Sequence, residues 1–175
     1  YHPFRLIPQG NKREVVFNPL IENADGTYSM DFDNLEEICD DKCRLLILSN
    51  PHNPVGRAWK KEELMRLGEI CLRNNVLVFS DEIHCDLVMP GFKHIPFASL
   101  SEDFAQNSIT AHAASKTFNI AGLATSTVII PNEGLRKRYT DFVHSTEADM
   151  GNVFGKIATK VAMEKGDEWH SQLIN

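Results

Sequence analysis

Long apolar runs are missing from this sequence of 175 residues. A representative run, LLIL at residues 45–48, is far shorter than the roughly 20 residues that a membrane-spanning helix needs. An excess of basic residues is missing too, since the formal net charge is −6 and the two signs are interspersed. A nucleic-acid-binding domain usually presents a basic face. We therefore expect neither a membrane protein nor a nucleic-acid-binding protein.

The sequence also lacks the spacing of a metal site. Cys39 and Cys43 form a C-x3-C pair, but no second cysteine pair or histidine pair completes a zinc pattern. Because isolated cysteines of this kind are mostly packed, reduced thiols, we expect a cytoplasmic protein with no bound metal. A set of four histidines matches no metal-binding motif either: His52, His84, His94 and His112.

Enough apolar residues are present to form a core. Hydrophobic residues make up 42% of the chain and charged residues 24%, which is typical of a globular domain. Apolar runs at 44–49, 76–80, 108–113 and 124–130 predict buried strands. Amphipathic stretches between them, of which 60–75 is the strongest, predict helices. This alternation predicts an α/β fold with three α/β/α layers and a mainly parallel sheet.

The two ends of the chain carry weaker patterns. Residues 1–30 are predicted to form loops and short strands, with one strand at 13–20. The chain begins without a methionine and ends inside a predicted helix, so we expect a fragment of a larger protein. Further helices are predicted at 31–40, 132–145, 154–166 and from 167 onward.

Three of the predicted strands are followed by polar residues whose side chains can take part in binding or catalysis. Asn53 lies in the turn SNPHNPVGRAW, Asp81 follows the second run, and Lys116 lies in AASKTFNIAGL. Parallel strands end at a common edge, where ligands of such sheets bind, so an amide, a carboxylate and an amine are expected to converge there. Pyridoxal phosphate uses a lysine for its Schiff base and a carboxylate for its pyridinium nitrogen. An amide donor to its phenolate oxygen would complete the set.

These motifs also carry a resemblance to a known family. SNPHNPVGRAW, SDEIHCDLVMPG and SKTFNIAG occur in this order. In this the chain resembles fold-type I pyridoxal-phosphate enzymes of the class I/II aminotransferase superfamily, and within it the cystathionine β-lyase and cystalysin type of C–S lyase. The resemblance implies that residues 1–175 are the central part of the cofactor-binding large domain. The N-terminal segment and the C-terminal small domain would then lie outside the chain.

The resemblance implies a role for each matching residue. Lys116 would be the Schiff-base lysine and the acid/base for the Cα proton, Asp81 would pair with the ring nitrogen, and Asn53 would donate to the phenolate oxygen. Tyr1 stands where these lyases carry an aromatic that stacks on the cofactor ring. Ser115 would help to hold the phosphate.

Two positions depart from the wider aminotransferase pattern. His84 stands where many aminotransferases have a tyrosine, and we expect it beside the cofactor as a packing or hydrogen-bonding neighbour. Ala124 stands where many carry an arginine that clamps the phosphate, so hydroxyls and backbone N–H groups are expected to hold it. Glu82, next to Asp81, is expected to have a structural role.

The function implied by the resemblance is pyridoxal-phosphate-dependent β-elimination. A sulfur amino acid such as cystathionine or cysteine would be cleaved to pyruvate, ammonia and a thiol. Two alternatives stay open: a class I/II aminotransferase that uses the same residues, and a non-catalytic, pyridoxal-phosphate-binding regulatory protein. The resemblance also implies a small-molecule amino-acid substrate and a homodimer for the full-length protein.

Overall fold

The structure is a computed structural model that describes residues 1–148 and 150–174. A short helix and a two-stranded hairpin come first, and alternating helices and strands follow them. The bounds are α1 His2–Gly10, β1 Leu20–Glu22, β2 Tyr28–Met30, α2 Phe32–Ile38, β3 Leu45–Ser49, α3 Lys61–Arg73, β4 Leu77–Asp81, α4 Glu102–Gln106, β5 Ser108–His112, β6 Thr127–Ile129, α5 Glu133–Ser145, α6 Val153–Lys165 and α7 Asp167–Ile174.

The main sheet has four strands in the order β3-β4-β5-β6. Its first two pairings are parallel, and β6 pairs with β5 in the antiparallel direction. Ser49 lies opposite Asp81, and Asp81 lies opposite Ala111, so β3, β4 and β5 end together. The α/β class and the mainly parallel sheet are thereby confirmed.

The core is formed where helices α2, α3 and α4 pack beside this sheet. Helix α3 buries Leu64, Leu67 and Ile70 in the same cluster as Leu48 and Val78 of the strands. Burying an aliphatic side chain of this size contributes about 1.5–3 kcal/mol. The inward face predicted from the 60–75 pattern is therefore confirmed, with the helix bounds drawn in to residues 61–73.

The first 30 residues differ from the prediction. Helix α1 covers residues 2–10 where loops and strands were expected, and Pro3 suits its first turn because no backbone N–H is needed there. The strand predicted at 13–20 is wrong, since the first strand begins only at Leu20. The apolar side chains of Val16 and Phe17 are exposed, so their pattern does not reflect burial in a sheet.

Two further elements differ in detail. Helix α4 was not predicted because it is only five residues long, although Ser101 caps it by accepting a hydrogen bond from the Phe104 N–H. The strand predicted at 124–130 shrinks to three residues, since Ala124 takes a left-handed conformation with φ of 45°. Among the described residues, no helix has the length and apolar character required to cross a bilayer.

Candidate active site at the carboxyl edge of the sheet

The turn after β3 is fastened at its base to the end of β4. The Asn50 N–H donates to the Asp81 carbonyl at 2.9 Å, and the fully buried Asn50 side chain donates to the Ile95 carbonyl at 2.9 Å. The indole N–H of Trp59 donates to the Ser49 carbonyl at 2.9 Å. The turn therefore has a fixed position relative to Asp81.

The tip of the same turn presents Asn53. The backbones of His52 and Arg57 exchange two hydrogen bonds, of 2.7 and 3.3 Å, which close the loop between them. Gly56 has a φ of 67°, a conformation that glycine adopts without steric cost. Within residues 1–148 and 150–174, the exposed Asn53 side chain makes no hydrogen bond, so its amide is available to a ligand.

An ion pair joins this turn to the start of α3. The Arg57 guanidinium donates to both carboxylate oxygens of Glu63 at 2.9 Å, and it lies 4.8 Å from the ring centroid of Trp59. Glu63 also accepts a hydrogen bond of 2.8 Å from the Lys60 N–H, at the start of the helix. The arginine is thus engaged by the scaffold.

Asp81 ends β4 as a half-buried carboxylate. One of its oxygens accepts a hydrogen bond of 3.2 Å from the Ile83 N–H. Burial raises the pKa of Asp81, whereas this hydrogen bond and the charges of His84 and Lys116 act to lower it. His84 and Lys116 therefore lie within electrostatic reach of Asp81.

Glu82 has a different environment, although it follows Asp81 directly. It is buried, and one carboxylate oxygen accepts hydrogen bonds of 2.9 Å from the Ser80 hydroxyl and from the Phe97 N–H. Its other oxygen lies 2.9 Å from Nε2 of His94. These contacts agree with a structural role for Glu82 and leave Asp81 as the carboxylate available to a ligand.

The turn after β5 carries Ser115 and Lys116. Ala114 before them is fully buried, and its carbonyl accepts a hydrogen bond of 2.9 Å from the Phe118 N–H. The Lys116 side chain is exposed and, in the described part of the chain, forms no hydrogen bond or ion pair. The half-buried Ser115 hydroxyl has no hydrogen-bond partner among the same residues. Both groups are available to a ligand.

His84 lies in the turn after β4, close to both charged groups. Burial lowers the pKa of His84, the charge of Lys116 lowers it further, and the charge of Asp81 acts in the opposite direction. Burial therefore favours the neutral imidazole, which fits the neighbour role expected for His84 more closely than that of a permanent cation.

Tyr1 lies directly before α1. The Tyr1 ring is 85% exposed and meets Phe4 edge-on, with the ring centroids 5.3 Å apart. One ring face is thus open to a flat ligand.

A cavity of about 320 Å³ separates the turn after β3 from the turn after β4. Asn53 and His84 both contribute to its wall, together with the apolar side chains of Leu87, Met89 and Phe92. Asp81 and Lys116 are not part of that wall. The cavity therefore brings together two of the predicted site residues and adjoins the edge that carries the others.

A cluster around Asp86 was not found from the sequence. The Thr117 hydroxyl donates to one Asp86 carboxylate oxygen at 2.9 Å, and Nε2 of His112 lies 3.7 Å from the same oxygen. The His170 ring donates to the Asp86 carbonyl at 2.6 Å. The side-chain contacts, that of His112 first, lower the pKa of Asp86 to about 2. The one sequence signal was that Thr117 directly follows Lys116.

Three possible metal ligands occur in this cluster. One ligand atom each from Cys85, Asp86 and His112 lies within 4.8 Å of the others. Burial and the neighbouring Asp86 charge raise the pKa of the Cys85 thiol to about 12, so it is protonated at neutral pH. A metal would have to displace that proton and the Thr117 hydrogen bond. The absence of a metal site stays a prediction.

The carboxyl edge thus presents an amine, a half-buried carboxylate and an amide. They belong to Lys116, Asp81 and Asn53, which lie at or just beyond the ends of three adjacent strands. A half-buried carboxylate interacts more strongly with a cationic partner than an exposed one, because the surrounding dielectric constant is lower. Together the three groups can hold a planar heterocycle with an electrophilic carbon.

Comparison with known proteins identifies sequence relatives of this chain. The profile of the family "Aminotransferase class I and II" matches residues 1–147. Cystathionine beta-lyase PatB of Bacillus subtilis is 47% identical over 175 residues, which cover 99% of this chain and 45% of that protein. The chain therefore spans less than half the length of this curated relative.

Solved structures give the same likeness. A pyridoxal-phosphate-bound protein of Clostridium difficile, assigned as an aminotransferase, superposes with a TM-score of 0.96 at 42% identity over 99% of this chain and 45% of that one. Cystalysin of Treponema denticola, which contains pyridoxal 5′-phosphate, superposes with a TM-score of 0.92 at 39% identity over 99% of this chain and 44% of that one.

Proposed function

This chain belongs to the aminotransferase class I and II family, and we propose that the protein containing it is a pyridoxal-phosphate-dependent carbon–sulfur β-lyase. Its substrate is a sulfur amino acid of the cystathionine or cysteine type, cleaved to pyruvate, ammonia and a thiol. The observation that carries the proposal is the convergence of Asn53, Asp81 and Lys116 at one sheet edge. The 47% identity to a cystathionine β-lyase supports the substrate class.

The side chains at this edge fit pyridoxal phosphate. Lys116 would bind it through Nζ, Asp81 would pair with its ring nitrogen, and Asn53 would donate to its phenolate oxygen. When bound, the cofactor would supply an electron sink for the negative charge that develops at Cα. The Tyr1 ring would stack on the cofactor ring, and the Ser115 hydroxyl would donate to the phosphate.

Lys116 performs the proton transfer in this proposal. The Lys116 amine would accept the proton from the substrate Cα. The Asp81 carboxylate would face the protonated ring nitrogen, and its half-buried position would strengthen the interaction between the two charges. His84 borders the same cavity as Asn53 and acts as a packing or hydrogen-bonding neighbour.

We further propose that residues 1–175 form the central part of a cofactor-binding large domain in a cytoplasmic homodimer. An amino-acid substrate is the small-molecule partner. The cytoplasmic location is supported by the free thiols at Cys39, Cys43, Cys71 and Cys85, because a reducing compartment keeps thiols unpaired. The dimer rests on the resemblance to fold-type I enzymes.

An aminotransferase is the second candidate, favoured by the Clostridium difficile structure assigned to that activity. Both reactions begin with the same removal of the Cα proton by Lys116. They differ in their products, since a lyase releases a thiol, pyruvate and ammonia, whereas an aminotransferase passes the amino group to a keto acid.

The deciding experiment supplies the whole protein with pyridoxal phosphate and cystathionine and omits any keto acid. We expect pyruvate and ammonia to form. Lys116→Ala is expected to abolish their formation, whereas Lys61→Ala, at an exposed position in α3, is expected to preserve it. Amino transfer to 2-oxoglutarate without pyruvate would contradict the lyase proposal. Cofactor binding with neither reaction would favour a regulatory protein.

A further inference from the structure

We propose that Asp86 and Thr117 form a positioning pair that sets the place of Lys116 relative to Asp81. The inference rests on the proposed role of Lys116 as the cofactor-binding base. It concerns two residues that the proposed function does not use and that act through their neighbours in the chain.

The pair joins the two turns that carry the proposed catalytic groups. Asp86 lies in the turn after β4, five residues beyond Asp81, and Thr117 directly follows Lys116 in the turn after β5. The hydrogen bond of 2.9 Å from the Thr117 hydroxyl to the Asp86 carboxylate spans 31 positions in the sequence. Because the Asp86 carboxylate is charged, this hydrogen bond is stronger than one between neutral groups.

Asp86 is itself held by other elements. His112 at the end of β5 approaches its carboxylate, and His170 of α7 donates to its carbonyl. The carboxylate stays ionised, because its pKa is lowered to about 2. An acceptor held from two sides cannot follow the hydroxyl if the turn after β5 shifts, so the bond fixes Thr117.

The position of Lys116 depends on the hydrogen bond between Thr117 and Asp86, which holds the backbone next to it. Thr117 is 1% exposed, whereas the Lys116 side chain extends into solvent. Among the described residues, the Lys116 side chain makes no hydrogen bond or ion pair that would hold it near Asp81. The position of its Cα, from which the amine reaches towards Asp81, is therefore set by the backbone next to Thr117.

The test compares Thr117→Val, which keeps the shape but removes the hydroxyl, with Thr117→Ser, which restores it. Asn107→Ala is the matched control, since the Asn107 side chain donates to the Val76 carbonyl at 2.8 Å, at the opposite end of β4 and β5. All variants are made in the whole protein, loaded with pyridoxal phosphate and assayed with cystathionine. The fraction of cofactor that borohydride fixes on Lys116 is measured alongside kcat, KM and Tm.

Thr117→Val is expected to lower kcat by about 10- to 100-fold, the loss that a displacement of about 1 Å from the reacting geometry causes. It should also lower the fraction of cofactor fixed on Lys116, with KM within about twofold of the unsubstituted protein, whereas Thr117→Ser should restore both readouts. Asn107→Ala should lower Tm and leave kcat and the fixed fraction unchanged. If Thr117→Val does not fold, Asp86→Asn, which keeps an acceptor but removes the charge, should give an intermediate loss.

Two results would overturn the inference. In the first, Thr117→Val lowers only Tm, as Asn107→Ala does. In the second, the serine and valine variants lose kcat and the fixed fraction equally. If the unsubstituted protein fixes no cofactor on Lys116, the proposed function fails as well. Normal fixation in the unsubstituted protein, combined with either result, refutes the positioning role alone.

Discussion

Asp81 and Glu82 are neighbours in the chain with opposite environments. Asp81 is the last residue of β4 and is half-buried, whereas Glu82 lies directly beyond the strand and is buried. The Glu82 carboxylate contacts the Ser80 hydroxyl, the Phe97 N–H and the His94 ring. Among the described residues, Asp81 accepts one hydrogen bond, from the Ile83 N–H. Two identical chemical groups thus receive separate tasks from their surroundings.

Asp81→Asn is expected to lower kcat by about 10²- to 10³-fold, comparable to the loss of another preorganised electrostatic group at a reacting centre. An amide cannot hold a proton on the ring nitrogen. The measurement is the kcat of pyruvate formation in the folded, cofactor-loaded variant.

Glu82→Gln is the matched control for that substitution. It should reduce the free energy of unfolding by about 1–3 kcal/mol, because hydrogen bonds to a buried charge are weakened, while kcat stays near that of the unsubstituted protein. A normal kcat for Asp81→Asn together with a collapsed kcat for Glu82→Gln would reverse the assignment.

The acid stability of the protein should depend on Asp86. Its pKa falls from the ordinary 3.8 to about 2 on folding, so its contribution to the free energy of unfolding is present above pH 4 and disappears as pH falls towards 2. Asp86→Asn should therefore lose less stability than the unsubstituted protein between pH 5 and pH 2. Urea unfolding at a series of pH values measures this, and parallel stability curves would contradict it.

Residue types alone predicted part of this site. Asn53, Asp81 and Lys116 follow apolar runs, and the end of a buried strand can be read from the sequence. The bond between Asp86 and Thr117 could not be predicted, because a contact between residues 31 positions apart leaves no local pattern. It depends on the register of β4 against β5.

At the level of whole elements, strands and helices with strong periodicity were predicted within a few residues. Strands β3, β4 and β5 and helix α3 each bury part of their surface. Because buried positions require apolar residues, this burial gives the sequence a recognisable hydrophobic pattern. Helix α1 was missed because none of its residues is buried. A surface helix of nine residues that contains two prolines carries too little pattern to distinguish it from a loop.

Trp59→Phe tests whether the indole of Trp59, just before α3, holds the turn after β3 in place. The buried indole donates to the Ser49 carbonyl, and phenylalanine keeps the ring but leaves that carbonyl without its partner. We expect the free energy of unfolding to fall by about 1–3 kcal/mol. We also expect weaker binding of pyridoxal phosphate, measured by absorbance titration, because Asn53 lies on this turn. Unchanged cofactor affinity would show that the position of this turn does not contribute to cofactor binding.

Gly68→Ala tests the contact of α3 with α4. A methyl group at this position would lie 2.5 Å from ring atoms of Phe104, which is buried and stacks on Phe97 with the ring centroids 5.3 Å apart. The ring cannot move freely, so the variant should lose about 1–3 kcal/mol of unfolding free energy. Gly10→Ala, with open space around it, should be neutral or slightly stabilising. Thermal unfolding of both variants measures the difference, and equal Tm values would contradict this packing.

At the scale of the whole molecule, the described chain has two main features: the carboxyl edge of its sheet, and exposed apolar side chains on α5, α6 and α7. The edge unites three adjacent strands, and its fold matches structures of proteins more than twice as long. Composition and strand alternation predicted this architecture, but they could not predict which helices leave apolar side chains exposed. Large exposed side chains occur along the last three helices: Phe142, Val153, Phe154, Ile157, Trp169 and Leu173. We expect the remainder of the protein or a second copy to cover them.

We propose that one edge of this sheet binds pyridoxal phosphate through Lys116. Borohydride reduction of the whole protein after incubation with pyridoxal phosphate, followed by peptide mapping by mass spectrometry, tests this. We predict a yellow protein in which the reduced cofactor is attached to the peptide that contains Lys116. Attachment to a different lysine, or a cofactor that dissociates unreduced from a folded protein, would contradict the account.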